Sequence, residues 1–85
     1  MITELKTMTA GAFNAITVPP GTPELLVIVP PSTNALAMTL KGVTGDTGIL
    51  LAPGDPSVVS LATTITSIGL TIGAGSDFTV ALGWL

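Results

Sequence analysis

The sequence predicts an all-β fold, a compact antiparallel β-sandwich of jelly-roll or immunoglobulin-like type with seven to eight short strands. Proline and glycine interrupt the 85-residue chain at short intervals. Runs rich in Val, Ile, Leu, Thr and Phe lie between them, and in several runs apolar residues alternate with small or polar ones. Short alternating runs separated by turn residues, at a spacing of about 8–12 residues, are typical of sandwiches and barrels.

The predicted strands lie near residues 2–8, 12–18, 25–30, 35–41, 48–52, 57–61, 65–72 and 77–84. Successive side chains of a strand point to opposite sides, so alternation defines a buried stripe. In the last run this stripe contains Phe78, Val80, Leu82 and Trp84. The run 25–29 is apolar at every position, which indicates a central strand covered on both sides, or covered on one side by a neighbouring subunit.

Two segments leave more than one structure open. A helix of one or two turns is an alternative at 56–64, with Asp55 as its cap and Pro56 at its first position. The N-terminal Ile2, Leu5 and Met8 show no clean alternation, so residues 1–11 form either an edge strand or an arm that docks on a partner. The whole chain, residues 1–85, is expected to form one domain.

The chain carries very few charges. Charged residues make up 8% of the sequence, compared with about 25% in an ordinary soluble domain. A domain of this size is only marginally stable by itself, and disulfides, metals or oligomerisation are the usual supplements. The sequence contains no cysteine and no histidine. We therefore expect a permanently assembled protein that binds copies of itself.

Several classes of function are disfavoured by the composition. The net charge of −3 and two isolated lysines argue against nucleic acid, because phosphates are bound by clustered cations. The uncharged stretch 56–76 is interrupted by glycines and rich in Thr and Ser, unlike a membrane span. Without His or Cys there is no Ser-His-Asp or Cys-His arrangement. We expect no enzyme, no cofactor and no metal site.

Three aspartates are the remaining candidates for chemistry. Asp46, Asp55 and Asp77 lie among Gly, Pro and Ser, where Asp usually bonds to the local backbone of a turn. A pair of carboxylates for glycoside hydrolysis remains conceivable from any two of these three residues. The loop 41–48, KGVTGDTG, is either a hairpin in which Asp46 caps a turn or a weak calcium site. Calcium usually requires several carboxylates, so the sequence favours the capped hairpin.

The two ends of the chain supply the candidate interface residues. The sequence ends on Gly83-Trp84-Leu85 without a polar tail. Trp84 either completes the core of its own domain or, with Leu85, contacts a neighbouring chain, because tryptophan is enriched among interface anchors. If the N-terminal residues dock on a partner, Ile2 and Leu5 belong to the same interface.

The segments LKG, VTGDTG, ILLAPG and FTVALGWL resemble, in their texture over residues 13–85, the small β-sandwich virion proteins of tailed bacteriophages. Capsid decoration (cement) proteins are the most similar type. The resemblance implies a non-catalytic domain on the capsid surface of the virion, bound in many copies, often as trimers, to the major capsid protein or another virion protein. The low charge departs from a freely soluble decoration protein and keeps a tail, filament or surface-layer subunit open. A small surface-recognition (carbohydrate-binding) module is a further alternative, against which the scarcity of aromatic residues argues.

Overall fold

The computed structural model describes residues Met1 to Leu85 and contains eight β-strands and no helix. The strands are β1 (Ile2–Met8), β2 (Phe13–Ile16), β3 (Leu25–Val29), β4 (Met38–Lys41), β5 (Ile49–Leu51), β6 (Ser57–Ser60), β7 (Ile68–Ile72) and β8 (Phe78–Trp84). Each predicted run contains one of them. The helical alternative at 56–64 is wrong, because β6 pairs with β3 in extended conformation. No helical segment capable of crossing a membrane is present.

The strands form two antiparallel sheets of four strands each. Sheet A has the order β1-β8-β3-β6, and sheet B has the order β2-β7-β4-β5. The pairing is nested, because β1 pairs with β8, β2 with β7, β3 with β6 and β4 with β5. This is the arrangement of a long hairpin folded over itself, which gives a jelly roll. The predicted all-β sandwich is confirmed, and its topology is the jelly-roll alternative.

The core lies between the two sheets. It is one cluster of twelve buried apolar residues. Sheet A supplies Met8, Leu26, Ile28, Val80, Leu82 and Trp84, and sheet B supplies Ile16, Met38, Leu40, Ile68, Leu70 and Ile72. Within the strands these residues occupy alternate positions, so each sheet has one buried face and one outer face.

Both ends of the chain are held in sheet A. Strand β1 pairs with β8 at all seven of its positions. The alternative of an N-terminal arm at 1–11 is therefore wrong for residues 2–8, because their backbone forms an edge strand of the sheet. At the other end, Leu85 and Leu25 exchange two backbone hydrogen bonds of 3.0 and 3.1 Å. This contact continues the pairing of β8 with β3 by one residue.

Asn14 fixes the crossing of the chain from sheet A to sheet B. Its side chain is buried, and its Oδ1 accepts a hydrogen bond of 2.8 Å from the Thr9 N–H. Its Nδ2 donates to the backbone carbonyls of Thr9, Ala12 and Leu70 at 3.0, 3.1 and 3.3 Å. The amide thus ties the β1–β2 connection to β7, and no pattern in the sequence indicated this role.

Candidate interaction surface

The outer face of sheet A is an apolar surface that carries four of the nine exposed large hydrophobic residues of the molecule. The alternation of side chains along each strand and the register of strand pairing place twelve residues on it: Thr3, Leu5, Thr7, Leu25, Val27, Val29, Val58, Ser60, Thr79, Ala81, Gly83 and Leu85. The exposed fraction is 78% for Leu5, 65% for Val58 and 52% for Leu85. Contiguous apolar patches of this kind on a soluble protein usually mark interaction sites. We therefore take this face as the candidate interaction surface.

No charged residue lies on the outer face of sheet A, although the chain has seven. Glu4 and Lys6 belong to β1, but they alternate with Leu5 and point to the opposite side of the sheet. Lys41 ends β4 in sheet B. The other four charges precede β3 or lie in connections between strands, at Glu24, Asp46, Asp55 and Asp77. A partner that docks on this face buries no charged side chain, which avoids a large penalty of burial.

The apolar run of β3 explains why this face exists. Leu26 and Ile28 point into the core, whereas Leu25, Val27 and Val29 point outward. No further strand lies over these outward residues, because the eight strands form only two sheets and the core lies between them. The chain itself therefore covers β3 on one side only.

The face has a relief set by the sizes of its residues. The outward positions of β8 are small, namely Thr79, Ala81 and Gly83. Those of the neighbouring β3 are large, and in register Ala81 lies opposite Val29 and Gly83 opposite Val27. A shallow trough thus follows β8 beside a ridge along β3. At one end of the trough Met1 packs on Gly83, with its Sδ 3.1 Å from the place of an added Cβ.

The four candidate interface residues do not share one surface. Leu5 and Leu85 lie together on the outer face of sheet A, whereas Ile2 lies on the other side of β1, half exposed at the sheet edge. Trp84 is 1% exposed and belongs to the core. Its indole N–H donates a hydrogen bond of 3.3 Å to Glu4 Oε1. Its assignment as an interface anchor is therefore wrong, because its position in β8 alternates with that of Leu85.

Sequence reasoning missed two residues at the centre and edge of this face. Val29 and Val58 are both exposed, and the sequence pattern assigns each to a strand without indicating to which side its side chain points. Val58 lies opposite Val27 across the β3–β6 pairing. The alternation of inward and outward side chains along β3, extended through its pairing with β6, is the signal that would have identified both valines.

The outer face of sheet B differs in charge and exposure. It carries Lys41 at one end, and the Phe13 ring covers Gly69, where an added Cβ would lie 2.6 Å from the ring. Leu50 is 71% exposed on this face. The Thr71 hydroxyl is buried there and has no hydrogen-bond partner in the protein. This face offers one exposed leucine rather than a continuous apolar surface.

Two of the three aspartates accept hydrogen bonds from the backbone of turns and connections. Asp46 Oδ2 accepts hydrogen bonds of 3.0 Å from the backbone N–H groups of Gly42 and Val43, which confirms the capped hairpin. Asp77 Oδ1 accepts one of 2.9 Å from the backbone of the β1–β2 connection, so it bonds a different loop rather than its own turn. Strands alternate in direction, so Asp46 lies at the opposite end of the sandwich from Asp55 and Asp77. No group of three or more acidic, His or Cys residues is placed to hold a metal ion.

Two grooves complete the surface. The larger, of about 740 Å³, is lined by the 15–23 segment and the loops after β4 and β6, and its lining contains no ionisable side chain. The smaller, of about 440 Å³, opens between the edge strands β5 and β6, and its only ionisable residues are Lys41 and Asp46. Neither lining holds a pair of carboxylates, which is the arrangement that glycoside hydrolysis requires.

No protein-family model matches the chain, and searches of curated proteins and of solved structures gave no significant match. The jelly-roll assignment therefore depends on strand order and pairing alone.

Proposed function

We propose that this chain is a non-catalytic structural subunit of a large assembly, of the bacteriophage capsid decoration (cement) type, which stabilises a virion shell. Its partners in this proposal are copies of itself and a major capsid or other virion protein. The observation that carries the proposal is the uncharged, apolar outer face of sheet A.

The physical reason is the cost of keeping this face in water. Exposed apolar surface is unfavourable by about 25 cal/mol per Å² relative to burial. A soluble monomer offsets such exposure with roughly a quarter to a third of charged surface residues, and this chain has seven charges in 85 residues. A subunit that remains in an assembly buries the face permanently and needs no such compensation.

The alternative of a carbohydrate-binding module is disfavoured by the placement of the aromatic residues. Jelly rolls occur in both viral capsid and lectin domains, so the fold supports either class only by analogy. The chain has three aromatic residues, of which Trp84 is buried and Phe13 and Phe78 are half-buried. Phe13 is the only one of the three that lines either groove, so the grooves offer a sugar a single half-buried ring.

The edges of sheet A favour a shell over a filament built by strand addition. Charged residues on the inward side of an edge strand oppose the addition of a further strand. Strand β1 carries Glu4 and Lys6 there, and the other edge, β6, has only four residues and follows Pro56. Contacts through the face of the sheet are therefore more compatible with this chain than contacts through its edges.

The test is to find the particle in which the chain occurs. A lysate of cells that produce it is fractionated on a density gradient, and the fractions are imaged by electron microscopy with a gold-labelled antibody to the chain. We expect sedimentation with closed shells and labelling of their surface. Labelling of tails or filaments would replace the shell by those assemblies, and recovery only as a small free species would overturn the proposal.

A matched pair of variants tests whether incorporation into the particle requires the outer face of sheet A. Leu5→Lys places a charge on this face, and Leu50→Lys places the same charge at an equally exposed leucine on sheet B. We expect at least a tenfold loss of Leu5→Lys from the particle fraction, with Leu50→Lys retained. The reverse order would show that the attachment uses sheet B.

A further inference from the structure

We infer that the outer face of sheet A packs against the same face of a second copy of this chain. The two copies are related by a two-fold axis that lies between the two faces, parallel to the strands, above the line that separates β8 from β3. This inference rests on the proposed function, because it names one partner of the same surface. It makes the basic unit of the assembly a dimer rather than the trimer that the family resemblance implies.

The distribution of charge allows a second copy as the occupant and disfavours a strongly charged partner surface. Two copies with a net charge of −3 each repel one another in most orientations. A two-fold contact between the outer faces of sheet A brings no charged side chain of either copy into the interface, because all seven lie elsewhere. A basic or acidic partner surface would find no opposite charge on this face, whereas an isologous contact needs none.

The relief of the face determines the direction of the axis. An axis parallel to the strands places β8 of one copy over β3 of the other, and β1 over β6. The trough at Ala81 then receives the ridge at Val29, and the reciprocal contact forms by symmetry. An axis perpendicular to the strands would place trough over trough and leave voids, which close-packed interfaces avoid. The parallel axis also gives the aligned geometry of packed sheets, with a crossing angle of about 30°.

The area of the face sets the strength of the contact. Four strands about 4.8 Å apart, with four to seven residues at about 3.4 Å each, give roughly 400 Å² of flat sheet. Side-chain relief increases the accessible area, which approaches the lower end of specific interfaces at about 600 Å² per partner. We therefore expect a reversible dimer for the free chain, whose association strengthens when further contacts hold both copies in a shell.

Cross-linking of paired cysteines tests the axis, and the chain has no native cysteine to interfere. Thr3 and Val58 lie at the same height on the two edge strands of sheet A, β1 and β6. Within one copy they are three strand spacings apart, about 14 Å, beyond the reach of a bis-maleimide of about 8 Å. In the proposed dimer β1 faces β6 of the other copy, so these two positions come together only between copies.

We expect the double variant Thr3→Cys/Val58→Cys to give covalent dimers at least tenfold more often than either single variant or Leu50→Cys on sheet B. Efficient cross-linking of Thr3→Cys alone would indicate a perpendicular axis and overturn the inference. Equal yields for all variants, with far-UV circular dichroism showing that each is folded, would also overturn it. Either result leaves the proposed function standing if the chain still sediments with shells.

Sedimentation velocity gives an independent readout. For the unmodified chain we expect a monomer–dimer equilibrium that depends on concentration, and for Val29→Lys at least a tenfold weaker association. Leu50→Lys is the control and should associate as the unmodified chain does. A trimer, or a monomer at all concentrations up to the millimolar range, would overturn the inference.

Discussion

Truncating Trp84 is expected to unfold the domain rather than detach it from a partner. Trp84 is the largest fully buried side chain and is 1% exposed. Replacing a buried Phe or Trp by Ala costs about 3–5 kcal/mol, from lost transfer free energy and the cavity that remains. At roughly 0.05–0.15 kcal/mol per residue, a chain of 85 residues has a total stability of about 4–13 kcal/mol. Trp84→Ala should therefore lose between a quarter and all of the free energy of unfolding.

The assay is guanidinium denaturation followed by far-UV circular dichroism. Trp84 is the only tryptophan, so fluorescence does not report on the variant. Leu85→Ala is the matched control, because the neighbouring side chain is 52% exposed on the opposite face of the sheet. We expect it to change stability by less than about 0.5 kcal/mol. The measurements are repeated at several protein concentrations, because self-association of the native state adds to the apparent stability.

A contrary pattern would refute the core assignment of Trp84. If Trp84→Ala retained its free energy of unfolding to within about 1 kcal/mol and yet failed to assemble, the indole would act at an interface. The reasoning from burial to stability would then be wrong for the end of β8.

Three further perturbations test the packing that supports the face. Asn14→Ala should lower the free energy of unfolding by about 2–4 kcal/mol in denaturant melts, because it leaves buried backbone groups unpaired; a change below 1 kcal/mol would contradict this. Thr71→Val should leave stability unchanged or raise it by about 1 kcal/mol, since it replaces an unpaired buried hydroxyl by a methyl group; clear destabilisation would mean that the hydroxyl has a partner. Gly69→Ala should cost about 1–3 kcal/mol through overpacking, whereas Gly45→Ala, with no atom within 4 Å of the added Cβ, should not; equal melting of the two would refute the close approach.

The sequence determined the strand content and most of the core. Turn residues and period-two alternation located all eight strands, because both are local consequences of backbone geometry. The stripe of β8 from Phe78 to Trp84 faces inward as the pattern indicated, with Val80, Leu82 and Trp84 in the core. Asp46 was correctly assigned to a turn for the same local reason. The boundaries of β2, β4 and β7 were predicted too long, since pairing partners end before the local pattern does.

Only the tertiary structure decided which surface is open and which residues form it. Leu5, Val58 and Leu85 are distant in sequence, and they share a face because β1, β6 and the end of β8 belong to one sheet. Sequence pattern gives the two sides of each strand but not the order or register of the strands. These depend on long-range pairing, which also placed Asn14 against Leu70 and Trp84 against Glu4. Which side chains share one side of a strand is a local property of the sequence. Whether that side becomes core or surface depends on which sheet covers the strand.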